Sequence, residues 1–147
     1  MKKKILIISY YWPPAGGPGV QRWLKFVKYL PEFNMSPVLF VPKNANYPIN
    51  DNSLISEVSN DLEIIKLPIF ELSNFFPRLK SLNSIRSGNI SKNKNQSILQ
   101  KIIFFIRGNL FIPDMKIFWK RNSVNFLENY ISENNIETII TTGPPHS

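Results

Sequence analysis

Three residue types in this chain suit chemistry on an anionic or hydroxylated ligand. Gly16, Gly17 and Gly19 fall in the loop Ala15-Gly16-Gly17-Pro18-Gly19, Arg22 follows, and His146 is the single imidazole among 147 residues. Glycines let backbone amides approach phosphate oxygens, because no Cβ stands in the way; the bland alternative is a turn that only joins two elements. Arg22 offers a guanidinium to a phosphate or carboxylate, or else is a solvated helix residue. His146 lies on a loop after an apolar stretch, placed to bond a sugar hydroxyl or a reacting group; an ordinary loop histidine is the alternative. Asp114 reads as a helix cap rather than a catalytic base.

The glycine loop is not the dinucleotide fingerprint G-x-G-x-x-G. That motif also needs an acidic residue at the end of the second strand to hold a ribose hydroxyl. Here that position is Val41-Pro42-Lys43. No G-K-[S/T] follows the loop, which excludes a P-loop. What remains is a phosphate cradle: open α/β sheets bind ligands at the carboxyl ends of their strands, and a helix N-terminus there favours anions.

The elements that must position these residues alternate. Residues 4–9 read as a strand: the continuous apolar run Ile5-Leu6-Ile7-Ile8, rich in β-branched isoleucine, is the pattern of one buried on both faces. Val20, Trp23, Leu24, Val27 and Leu30 recur at three- and four-residue spacing, which predicts a helix over 20–30 with Pro31 stopping it. Residues 37–41 and 62–66 read as further strands, 44–52 as an Asn-rich loop and 53–58 as one helical turn. A helix over 116–134 is predicted, its buried stripe formed by Ile117, Val124, Leu127 and Ile131, with a strand at 137–141. Strand, helix, strand, loop, strand is the order of a parallel α/β sheet. The fold expected is therefore a Rossmann-like parallel sheet flanked by helices, in a single domain over 1–147.

The middle of the chain differs. Between Leu72 and Pro113 there are seven basic residues (Arg78, Lys80, Arg86, Lys92, Lys94, Lys101 and Arg107) and no acidic one. Residues 84–96 are polar and read as a flexible excursion. Ser97 and Gln100 have capping-box spacing, which predicts a helix over 98–106. The basic aromatic stretch around Phe75-Phe76-Pro77-Arg78 and that helix are suited to an anionic membrane face, or are a solvated basic surface.

Composition narrows the classes further. The chain is 43% hydrophobic and carries a net charge of +8, so a folded globule with anionic partners is expected. It has no cysteine, so disulfides and thiolate metal sites are out, and no metal is expected. No groove-reading or base-stacking motif argues for nucleic acid. The longest apolar runs fall short of the ~20 residues that span a bilayer, and Ile5-Leu6-Ile7-Ile8 is too short for a signal-peptide core. A cytoplasmic location is expected. The sequence stops at Thr142-Gly143-Pro144-Pro145-His146-Ser147, where a crossover helix normally follows, and reads as the front portion of a longer protein.

The run Ile7-Ile8-Ser9-Tyr10-Tyr11-Trp12-Pro13-Pro14-Ala15-Gly16-Gly17-Pro18-Gly19-Val20-Gln21-Arg22 resembles the start of family 4 glycosyltransferases of the GT-B fold, in the bacterial subgroup that makes surface polysaccharides. Phe111-Ile112-Pro113-Asp114 and Ile139-Ile140-Thr141-Thr142-Gly143-Pro144-Pro145-His146-Ser147 are similar to the same subgroup. The resemblance implies a two-lobed enzyme. Its N-terminal lobe binds a polysaccharide or lipid-linked acceptor, its C-terminal lobe binds a nucleotide-sugar donor, and transfer is retaining and metal-independent. It implies that Gly16 and Gly17 face the donor diphosphate and that His146 lies near the transferred sugar. The donor lobe, with its glutamate-containing motif, is not in this chain.

The expectation is thus the acceptor-side portion of a glycosyltransferase, incomplete and inactive alone, peripheral at the inner membrane face. It would work with the missing lobe, without cofactor beyond the nucleotide-sugar co-substrate. An exposed sheet edge where further strands would pair invites self-association. Two other classes stay open: a non-catalytic nucleotide- or phosphosugar-binding module, and a basic domain held at an anionic membrane.

Overall fold

A computed structural model describes residues 2–69 and 117–143. They build a four-stranded sheet of order β3-β2-β1-β4, with β1 Lys3–Ile8, β2 Met35–Pro42, β3 Glu63–Leu67 and β4 Thr138–Thr141. Every pairing is parallel: Leu6 lies opposite Val38 and Ile139, and Phe40 opposite Ile65. The expected α/β class is present, compatible with a Rossmann-like arrangement.

Alternation along the strands divides the core in two. Ile5, Ile7, Leu39 and Val41 face helix α1, Pro18–Tyr29, which contributes Val20, Leu24 and Val27. Leu6, Val38 and Phe40 face helix α2, Ile117–Asn134, which contributes Trp119 and Leu127. The two helices therefore cover opposite faces, and β1 and β2 are apolar on both sides because both sides are packed. Leu6, Ile7, Leu39 and Phe40 have no solvent exposure. Each such burial contributes about 1.5–3 kcal/mol.

α1 begins at Gly17, which caps it without a side-chain hydrogen bond, and Pro18 occupies the first helical turn. Proline suits that position, where its missing N–H would have no helical partner. The α-helix ends at Tyr29 as expected, and Pro31 follows two residues on. It lies inside a 3-10 turn, Leu30–Phe33, and the reversal is made by Asn34 in the left-handed region, φ 58°. The Asn34 carbonyl then accepts from the Lys3 amide at 3.0 Å, joining the turn to β1.

The buried stripe of α2 needs correction. Val124, expected inside, is 43% exposed, whereas Trp119, Ser123 and Leu127 are buried. Leu127 was placed rightly, and Ile131 is half-buried against the same core. Ser123 is tolerated there because its hydroxyl donates to the Trp119 carbonyl at 2.6 Å. Trp119 stacks on Phe40 with ring centroids 5.2 Å apart, which docks the helix on the sheet. The stretch 84–96, the helix expected over 98–106, Ile117's side chain, Asp114 and His146 lie outside the described residues.

Candidate functional site at the carboxyl end of the sheet

The segment after β1 turns back through residues 9–17 before α1 begins. Ser9 is buried, its amide donates to the Phe40 carbonyl at 3.0 Å, and its hydroxyl donates to the Tyr11 carbonyl at 2.9 Å. The hydroxyl of Thr142, just past β4, donates to Ser9 Oγ at 3.1 Å. This pair closes the crevice between β1 and β4, where the strand order reverses and where ligands of such sheets gather.

The glycine loop is built against a second segment. Gly16 donates its amide to the Ile49 carbonyl at 2.9 Å, Asp51 donates its amide to the Pro14 carbonyl at 2.7 Å, and Ala15 bridges Asn50 in antiparallel fashion. A Cβ on Gly16 would lie 2.9 Å from Ile49 Cγ2 and 3.1 Å from Asp51 Cβ. Gly16 is thus glycine for packing, and its amide is already engaged. Gly17 has φ 114° and ψ 165°, a region essentially restricted to glycine. Its carbonyl accepts from the Val20 and Gln21 amides. Among the described residues the Gly17 and Gly19 amides make no hydrogen bond. These two amides stand open at the helix start, whereas the Gly16 amide is engaged.

Arg22 is exposed. By helical phase it stands away from the Val20, Leu24 and Val27 stripe, with Phe26 and Tyr29 on its own side. Lys25, on the same helix, is bonded to Glu57 Oε2 at 2.5 Å, and that carboxylate raises its pKa above the ordinary lysine value. Among the described residues no group of three His, Cys, Asp or Glu is placed to hold a metal, and no helix is long and apolar enough to cross a membrane.

Sequence reasoning missed a pocket of about 400 Å³ beside the loop. Its walls are residues 12–14, the connection after β2 with Lys43, Tyr47, Asn50 and Asn52, and Lys66 near the end of β3. In the sequence Lys43 marks only the absence of an acid after the second strand. Its relation to Lys66 appears once β2 and β3 are in register. The chain matches no family model, no curated protein and no solved structure.

Proposed function

We propose that this chain is the acceptor-side lobe of a retaining glycosyltransferase that moves a sugar from a nucleotide-sugar donor to a polysaccharide or lipid-linked acceptor. One observation carries the reading. The Gly17 and Gly19 amides, without partners among the described residues, open α1 directly after the central strand of an all-parallel sheet. Two such amides at a helix start are suited to diphosphate oxygens. The motifs that resemble family 4 enzymes add to this. In such a lobe, amide donors stabilise negative charge gathering on the departing diphosphate. Donor groups on a second lobe complete the reaction, so the isolated chain transfers no sugar.

Gly19→Glu tests the assignment. Nothing stands within 4 Å of a Cβ at Gly19, and an acid in the first turn favours the helix dipole, so the fold is retained. The added carboxylate repels a diphosphate. Titration with uridine and guanosine diphosphates should shift the Gly17 and Gly19 amide resonances, and Gly19→Glu should weaken binding at least tenfold. Absence of shifts at both glycines with either nucleotide would remove the reading.

A second reading, attachment to an anionic membrane face, is favoured by a separate observation. Phe26 and Tyr29 are about half exposed on the outer side of α1, Phe33 in the following turn is 69% exposed, and Arg22 and Lys28 lie among them. Exposed aromatics beside cations suit an interfacial helix on acidic lipid. The protein should co-sediment with phosphatidylglycerol vesicles and not with phosphatidylcholine vesicles, and salt should release it. Equal recovery with both kinds of vesicle would count against an anionic face.

A further inference from the structure

The pocket carries an inference that does not depend on sugar transfer. In the β2–β3 register Val41 lies opposite Lys66, and Lys43 follows Val41 by two residues. Side chains repeat with period two along a strand. Lys43, held beside β3 by its amide donating to the Leu67 carbonyl at 2.8 Å, therefore projects to the same side of the sheet as Lys66. Strand spacing and rise put their Cα atoms roughly 8 Å apart, within reach of one oxyanion for two lysine side chains.

Among the described residues nothing in the pocket neutralises them. No Asp or Glu lines it, and neither lysine enters an ion pair among the described residues. Asp51, the carboxylate nearest Lys43 in sequence, is turned to Ser53, accepting from its amide at 3.0 Å and from its hydroxyl, and Glu63, the one nearest Lys66, accepts from the Tyr130 hydroxyl on the other face of the sheet at 2.5 Å. The rest of the lining is amide and aromatic: Asn50 and Asn52 present groups that both donate and accept, and Tyr47 stands beside them. Paired donor and acceptor groups on one side chain match the hydroxyls of a sugar. Trp12 lines the same pocket, is 2% exposed, and among the described residues its Nε1–H has no acceptor.

We propose that this pocket binds a saccharide bearing an oxyanion, a phosphate or a carboxylate, with the anion between Lys43 and Lys66 and the hydroxyls on the asparagines. The ligand carries no nucleotide, and its site is distinct from the Gly17 and Gly19 amides.

The test is a titration of the whole chain with glucose 1-phosphate, glucuronate, glucose and inorganic phosphate, followed by nuclear magnetic resonance. Both lysines are exposed, so Lys43→Gln/Lys66→Gln keeps the fold. Either anionic sugar, or both, should bind at least tenfold tighter than glucose, shift the Trp12 indole N–H resonance, and lose at least tenfold in the double variant. Which of the two binds tighter identifies the phosphate or the carboxylate as the natural group. Three results would overturn the proposal: glucose binding as well as the charged sugars, inorganic phosphate binding as well as glucose 1-phosphate, or a double variant with undiminished affinity. Because no probe contains a nucleoside diphosphate, this outcome is independent of the test at Gly19.

Discussion

Gly16 and Ile49 meet at the same 2.9 Å in two ways. The Gly16 amide donates to the Ile49 carbonyl at that distance, and a methyl group on Gly16 would stand that far from Ile49 Cγ2. The contact fastens the loop after β1 to the connection after β2, and so shapes both the start of α1 and one wall of the lysine pocket.

Substitutions at the three glycines should therefore separate. Gly16→Ala crowds Ile49 and Asp51 and should cost about 1–3 kcal/mol as overpacking. Gly17→Ala forces a side chain onto φ 114° and should cost about 1–3 kcal/mol in backbone strain. Gly19→Ala meets open space and should stabilise by about 0.4–1 kcal/mol through the unfolded chain. Urea midpoints measure all three, and equal effects at the three positions would contradict the assigned roles.

Phe40 has no solvent exposure and stacks on Trp119. Phe40→Ala should cost about 3–5 kcal/mol. It should also loosen α2 before α1, because Phe40 faces α2 alone. Hydrogen exchange should show amides around Trp119 and Leu127 opening more than those around Leu24. Uniform opening of both helices would mean the two faces of the sheet are not separable.

Ser123 is a polar residue on a buried stripe, satisfied by a carbonyl of its own helix. Ser123→Ala removes the hydroxyl and leaves that carbonyl its helical partner. Alanine also has the higher helix propensity, by a few tenths of a kcal/mol. The melting temperature should stay level or rise. A fall of several degrees would show that the hydroxyl holds something beyond the Trp119 carbonyl.

Tyr130 donates to Glu63 Oε1 at 2.5 Å, linking α2 to β3. Burial, then the hydrogen bond to Glu63 and its charge, push the phenol above its ordinary value near 10. The folded state thus holds this proton more tightly than the unfolded chain. Its contribution is complete below about pH 10 and lost as pH rises through the folded-state value. Stability of the wild type should fall above that pH, and Tyr130→Phe should show a shallower fall. Parallel curves for the two proteins would rule out this linkage.

β4 pairs with β1 alone among the described residues, and Ile139 is 49% exposed on it. An apolar edge strand invites a second copy. Sedimentation velocity should show association rising with concentration, and Ile139→Lys should suppress it. A wild-type monomer at every concentration would dismiss the edge as a docking strand.

The strands were legible because both faces of this sheet are packed: Ile5 to Ile7 and Val38 to Val41 form continuous apolar runs. α1 was legible by its Val20, Leu24 and Val27 spacing. α2 was less so, since a serine lies on its buried side while Val124 is 43% exposed. The reason is local, a hydroxyl answered by its own helix. The pocket was illegible for another reason. The contacts that close it, Gly16 to Ile49 and Asp51 to Pro14, run through backbone groups that leave no side-chain pattern. Lys43 and Lys66 become neighbours only through the β2–β3 register.

The place of β1 between β2 and β4 has a consequence in time. β1 is made before the other three strands, and one flank is answered early, when Met35 to Phe40 arrive. The other waits for Thr138 to Thr141. At ~5–20 residues per second on a ribosome, that flank stays open on the order of ten seconds, with Ile5, Leu6 and Ile7 beside it. Growing chains should therefore be recognised by holding chaperones until Ile139 emerges and the seam between β1 and β4 closes.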